Sequence, residues 1–127
     1  MKILDLFAGP GGWSEGLKLL GLSEVGIEFD AVACETRRAA GHETVEADVS
    51  ELDPAEFGKV DGLIASPPCQ AFSVAGKGKG KEYMPALLDA VANSDWGFRP
   101  DPDPKIWLPL EIGRWQEAVD PDWICLE

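Results

Sequence analysis

Histidine and tyrosine occur once each in this chain, methionine twice and cysteine three times. That scarcity excludes two common devices of small domains. Cys34, Cys69 and Cys125 are odd in number and lack metal-ligand spacing, and only His42 could join them. Neither a disulfide framework nor a zinc site is expected, and no metal is assigned. Long apolar runs are missing too: none approaches the ~18 residues of a membrane span. The opening MKILDLF turns acidic at its fifth residue and has no signal-peptide pattern, so a cytoplasmic protein is expected. Basic residues are few, 11 against 23 acidic, for a net charge of −12. Phosphate binding needs Lys and Arg, so any nucleic-acid role must be met locally.

What is present is ordinary globular material. With 127 residues, 45% hydrophobic and 27% charged, the chain suits one domain, residues 1–127, with one core. KILDLF reads as a central strand running into GPGG, and WSEGLKLLG as a helix with Leu17 and Leu20 on one face. EVGIE is a second strand, and Asp30 is placed to cap a helix through AVACETRRAA. TVEADV, DPAEF and VDGLIAS follow as strand, helical turn and strand. EYMPALLDAVA and PLEIGRWQEAVD read as helices around a proline-rich connection, and the apolar PDWICLE as a core-like last strand. Alternating strands and helices predict an α/β fold, a mostly parallel sheet with helices on both faces.

Two constellations carry chemistry. The first is DLFAGPGG, where Gly9, Gly11 and Gly12 let backbone approach a ligand at a helix N-terminus. The spacing is not that of a dinucleotide pyrophosphate site. Glu28, about 20 positions on, suits ribose hydroxyls. Phe29 offers a face to a purine, and Asp48 a carboxylate to an adenine amino group. A plain turn and solvated strand-end charges are the bland alternatives, weakened by the coincidence of all these groups at successive strand ends. Three acids disfavour a phosphate-rich ligand and suit a cationic nucleoside such as a sulfonium.

The second is SPPCQAFS, residues 66–73. Buried cysteines are usually small hydrophobes, and Cys34 and Cys125 are read so. Cys69 differs because Pro67 and Pro68 fix the backbone before it, and rigid placement at a strand exit suits an attacking thiolate. The lysines at 77, 79 and 81 make the following loop locally basic.

Together, DLFAGPGG at 5–12, IEFD at 27–30, Asp48 and PPCQAFSVAGKGKG at 67–80 resemble the C5-cytosine DNA methyltransferases. The segment DPKIWLPLEIGRWQEAVDPDWICLE is similar to that family's stretch leading into a Glu-Asn-Val-type motif. The resemblance implies a Rossmann-like S-adenosylmethionine-dependent fold, truncated here after about five strands. It implies that Phe7, Gly9 and Gly11 line S-adenosylmethionine, that Glu28 takes its ribose and Phe29 and Asp48 its adenine, and that Leu108 touches it, although Lys105-Ile106 replaces the family's Arg-Gly. Cys69 would be the nucleophile adding to C6 of a flipped cytosine, with Glu127 bonding N3 and the amino group. Pro68, Gln70, Ser73, Lys77 and Lys79 would face double-stranded DNA.

The family's further strands, its arginine motif and its target-recognition region would lie beyond Glu127. The chain alone is therefore expected to be inactive or very weakly active. A truncated gene, an incompletely read gene and the first half of a two-chain enzyme all fit. A bacterial or phage enzyme of a restriction-modification system is implied. A tRNA cytosine-5 methyltransferase, a non-catalytic S-adenosylmethionine-binding subunit and a general nucleotide-binding domain with a structural Cys69 stay open.

Overall fold

The tetrads ILDL and GLIA, apolar but for Asp5, become neighbouring strands with every residue buried. A computed structural model describes residues 1–73 and 78–127. It divides into two compact units, one of Met1–Ser66 with Ala118–Glu127, the other of Pro67–Glu117.

The first unit is built on a parallel sheet. Its strands are β1 (Ile3–Leu6), β2 (Val25–Glu28), β3 (Glu43–Glu46), β4 (Gly62–Ala65) and β5 (Trp123–Leu126), in the order β3-β2-β1-β4-β5. The chain walks outward from β1 to β3, then returns across the sheet to β4. This is the order of an open Rossmann-like sheet, and its topological switch point lies between β1 and β4. The helices between the first three strands are α1 (Gly12–Leu19) and α2 (Ala31–Ala39), and a 3-10 turn, Pro54–Phe57, precedes β4. Asp30 caps α2 as expected, its Oδ1 accepting from the Ala33 N–H at 2.9 Å. Ile3, Leu17 and Ile64 pack together with Trp13, Leu22 and Cys125 against them. Each such aliphatic side chain contributes about 1.5–3 kcal/mol on full burial.

Two expectations are corrected here. Leu17 is core, but Leu20 is exposed, because α1 ends at Leu19 and Leu20 is its C-cap. WICL is not a buried run: Trp123, Ile124 and Leu126 are exposed and Cys125 half-buried, since β5 is a sheet edge paired only with β4 among the described residues. Trp123 lies over Gly62, where a Cβ would come within 2.1 Å of its ring. The third strand is also shorter than TVEADV, which leaves Asp48 in the loop beyond it.

The second unit carries α3 (Gly80–Ala92), the short α4 (Pro104–Trp107) and most of α5 (Leu110–Val119). Leu87, Ala90, Ile106 and Leu110 form its core, covered by aromatic residues including Phe72, Tyr83 and Trp96. Glu111 is buried but answered by Arg99 Nη2 at 2.5 Å and Arg114 Nε at 2.6 Å, and Arg99 lies 3.9 Å from the Trp107 ring centroid. No helix among the described residues is long and apolar enough to cross a membrane.

Candidate functional site

The C-terminal ends of β1 and β4 open a cleft of about 470 Å³ at the switch point. Phe7, Ala8, Gly9, Pro10, Gly12 and Trp13 come to it from the glycine turn and α1, Ser66 from the end of β4, and Glu127 from the end of β5. Backbone continuity aligns these ends: Ser66 N donates to Leu6 O and Glu127 N to Ala65 O. Phe7 adopts φ 62°, a left-handed conformation uncommon for an aromatic residue, which turns the chain sharply out of β1. Gly9 and Gly11 also have positive φ, and Gly11 is the N-cap of α1 with no side-chain cap, leaving first-turn N–H groups for a ligand. A Cβ would meet nothing at Gly9, Gly12 or Gly16, so these glycines border open space. Gly11 differs: it is buried, and its Cβ would meet His42 Cδ2 at 3.2 Å and Arg37 Cγ at 3.7 Å.

Glu28 sits beside the turn. Its Oε2 accepts from Gly9 N at 2.9 Å, and its Oε1 from the N–H groups of Phe29 and Asp30 at 2.9 and 2.8 Å. The carboxylate therefore ties the glycine turn to the end of β2, and its spare lone pairs remain for hydroxyl donors. The Phe29 ring is 72% exposed. Asp48 is half-buried, with Oδ1 accepting from the Ser50 N–H and hydroxyl. Glu28 ends β2, Phe29 follows it and Asp48 lies beyond β3, all outside the cleft lining itself.

Sequence reasoning missed the groups behind the turn. Trp13, on the cleft wall, donates from Nε1 to Ser66 Oγ at 3.2 Å. Arg37, Ser14 and Glu24 form a buried network, with the Ser14 hydroxyl donating to Glu24 and Arg37 pairing with Glu24 at 2.9 Å. Asp5 is fully buried, and neither carboxyl oxygen has a hydrogen-bond partner among the described residues. Burial, and then the Glu24 carboxylate, push its pKa up to about 7, against the opposing pull of Arg37.

In the second unit, Cys69 is exposed at the head of a tight turn. Its carbonyl accepts from Phe72 N at 2.9 Å and Ser73 N at 3.1 Å, and Gly80 N donates to Ala71 O at 2.8 Å. Gly80 permits this closure, since a Cβ there would come within 2.7 Å of the Phe72 ring. Pro68 is half-buried, Gln70 exposed and Ser73 half-buried. Lys79 is not a free cation: its Nζ lies 2.7 Å from Asp101 Oδ2, which also accepts from Tyr83. Lys79, the Asp103 N–H and Tyr83 hold the Asp101 carboxyl down to about 2. Leu108 belongs to this unit as the C-cap of α4. Lys77 lies outside the described residues.

Comparison with known proteins bears on these motifs together. A type II methyltransferase, M.DdeI of Desulfomicrobium norvegicum, is 38% identical over 95 residues, 69% of this chain and 23% of its own. Another, M.Eco47II of Escherichia coli, is 46% identical over 84 residues, 63% of this chain and 20% of its own. A solved Thermoplasma acidophilum protein is 36% identical with a TM-score of 0.43, covering 53% of this chain and 36% of its own. The chain thus spans under a third of the length of the curated relatives it matches. The model of the C-5 cytosine-specific DNA methylases matches residues 1–88, from β1 through the Cys69 turn into α3. The chain belongs to the C-5 cytosine-specific DNA methylase family.

Proposed function

We propose that this chain carries the cofactor cleft and the nucleophile of a DNA (cytosine-5)-methyltransferase that uses S-adenosylmethionine. The observation that carries the reading is the cleft at the β1/β4 switch point, where three glycines without steric obstruction, an uncapped helix start and Glu127 converge. Its volume lies in the range of small-ligand sites, and the residues present fit this cofactor. Open glycine backbone and the α1 N–H groups suit the carboxylate of its amino-acid end. The remaining acceptor capacity of Glu28 suits ribose hydroxyls, the Phe29 ring an adenine face, and Asp48 the adenine amino group. When bound, S-adenosylmethionine supplies an electrophilic methyl on a sulfonium.

The chain's own residues prepare the acceptor. The Cys69 thiolate adds to C6 of cytosine, forming a C–S bond and moving the ring's π electrons toward C5. Aromaticity is lost, and C5 becomes the nucleophilic end of an enamine. Glu127 accepts from the exocyclic amino group and, protonated, donates to N3, which stabilises charge as it develops there. After C5 has been substituted, loss of its proton and departure of the thiolate restore the ring. A stacked duplex hides C6, so the base must be extruded, and Pro68, Gln70, Ser73, Lys77 and Lys79 are assigned to the DNA side.

Calorimetry of the chain with S-adenosylhomocysteine tests the cofactor part. The unaltered chain is expected to bind. Because the Phe29 ring is exposed, Phe29→Ala should leave the melting temperature unchanged. It should weaken binding by about tenfold, in line with roughly 1–3 kcal/mol for stacking a base on an aromatic ring. No heat of binding with the unaltered chain would remove the reading. Undiminished binding by the variant would remove Phe29 from it.

A further inference from the structure

Arg37 is an arginine with no exposed surface, on the inner side of α2. It is the one fully buried cation of the first unit among the described residues, paired with the buried Glu24 and close enough to the buried Asp5 to pull its pKa down. Its five N–H donors are all engaged. Nε donates to Thr44 Oγ1 at 3.3 Å, and Nη1 to Ala8 O at 3.4 Å and Ser14 Oγ at 2.8 Å. Nη2 donates to Glu24 Oε1 at 2.9 Å and Glu43 O at 3.3 Å. The guanidinium lies flat against β2 at Gly26, where a Cβ would come within 2.0 Å of Nη2. One side chain thus grips β3 at its start, the glycine turn at Ala8 and the first turn of α1 at Ser14. Gly11 rests against its stem, while Gly9 and Gly12 face open space on the cleft side.

We propose that Arg37 is a positioning residue for the cofactor cleft, fixing the glycine turn and the start of α1 from behind so that they receive the amino-acid end of the ligand. The inference rests on the cofactor reading above. A rigid planar fork can satisfy separated acceptors on several elements at once, whereas a lysine offers a single point charge. Glu28 fixes the turn at Gly9 from the β2 end, so removing the Arg37 grip loosens chiefly Ala8, Gly11 and the helix start. Of these, the helix start carries the α1 N–H groups assigned to the carboxylate of the ligand, and Ala8 and Gly11 flank the open Gly9 and Gly12. The adenosine end is assigned to Glu28, Phe29 and Asp48, none of which bonds to Arg37.

The test compares two ligands on the chain by calorimetry: S-adenosylhomocysteine, which has the amino-acid end, and 5′-methylthioadenosine, which lacks it. Two variants are used, Arg37→Lys, and the paired Arg37→Met with Glu24→Met. The pair removes both charges together, because removing one partner of a buried ion pair is far more damaging than replacing both. In both, the expected result is an affinity for S-adenosylhomocysteine reduced tenfold or more, with that for 5′-methylthioadenosine within twofold of the unaltered chain. Partial unfolding lowers both apparent affinities alike, so their ratio isolates positioning from stability. Equal weakening of both ligands, or no change in either, would overturn the role of Arg37 alone. Failure of the unaltered chain to bind either ligand would instead overturn the cofactor reading and this inference with it.

Discussion

Cys69→Ala is expected to abolish the covalent adduct with DNA containing 5-fluorocytosine in the presence of S-adenosylmethionine, from a clear shifted band on a denaturing gel to none. The reason is stoichiometric. Fluorine occupies the place of the C5 hydrogen, so no proton can leave, the thiolate cannot depart, and the C6–S bond persists. Only a thiol able to reach the base forms that bond. Cys69 is exposed, whereas Cys34 has no exposure and burial pushes its thiol pKa up. Cys125 is half-buried in β5. Neither should substitute. The comparison belongs in the preparation that gives the unaltered chain its adduct, alone or supplemented with the C-terminal part of a curated relative. An adduct that survives the alanine substitution would exclude Cys69 as the nucleophile.

The largest effect on stability is expected from Asp5. Its carboxyl titrates near 3.8 when unfolded and about 7 when folded. Between those values the native state holds a proton that the unfolded chain has released, so stability falls as pH rises through this window. It is fully present below pH ~4 and lost above ~7, a difference of about 4 kcal/mol for a shift of roughly three pH units. Asp101 acts in the opposite sense and elsewhere, its contribution being lost as pH falls from about 4 toward 2. Urea unfolding at pH 5 and pH 8 should show the decline, and Asp5→Asn should flatten it. Equal stability of the unaltered chain at the two pH values, unchanged by Asp5→Asn, would overturn this role of Asp5.

Much of this architecture is written in local pattern. GLIA, and ILDL but for Asp5, are apolar because both faces of a central parallel strand are covered, and Asp30 announces α2 by an ordinary capping preference. The glycine turn and Glu28 were legible because a strand, a turn and an acid at the next strand end form a short-range grammar. Arg37 was not. In AVACETRRAA it stands beside Arg38, and a pair of arginines on a helix reads as a wetted face. Arg38 is indeed exposed, paired with Glu46 at 2.7 Å. What buries its neighbour is Gly26 on β2 and acceptors drawn from four other segments, none within reach of a periodicity window. The partner of Lys79 was hidden for a related reason, since GKGKGK is basic in composition but Asp101, far along the chain, pairs with one of its charges. WICL failed differently: apolarity predicts a strand, but position at the sheet edge decides its exposure.

Phe7 gives the cleft an unusual economy. Its φ of 62° holds a bulky side chain where glycine would sit without penalty, a cost of order 1–3 kcal/mol for a residue in such a sparsely populated region. Glycine at this position would relax the backbone and, in the same stroke, strip an aromatic wall from the cavity. Backbone strain is thus kept at a residue whose ring lines the cavity beside the glycine turn.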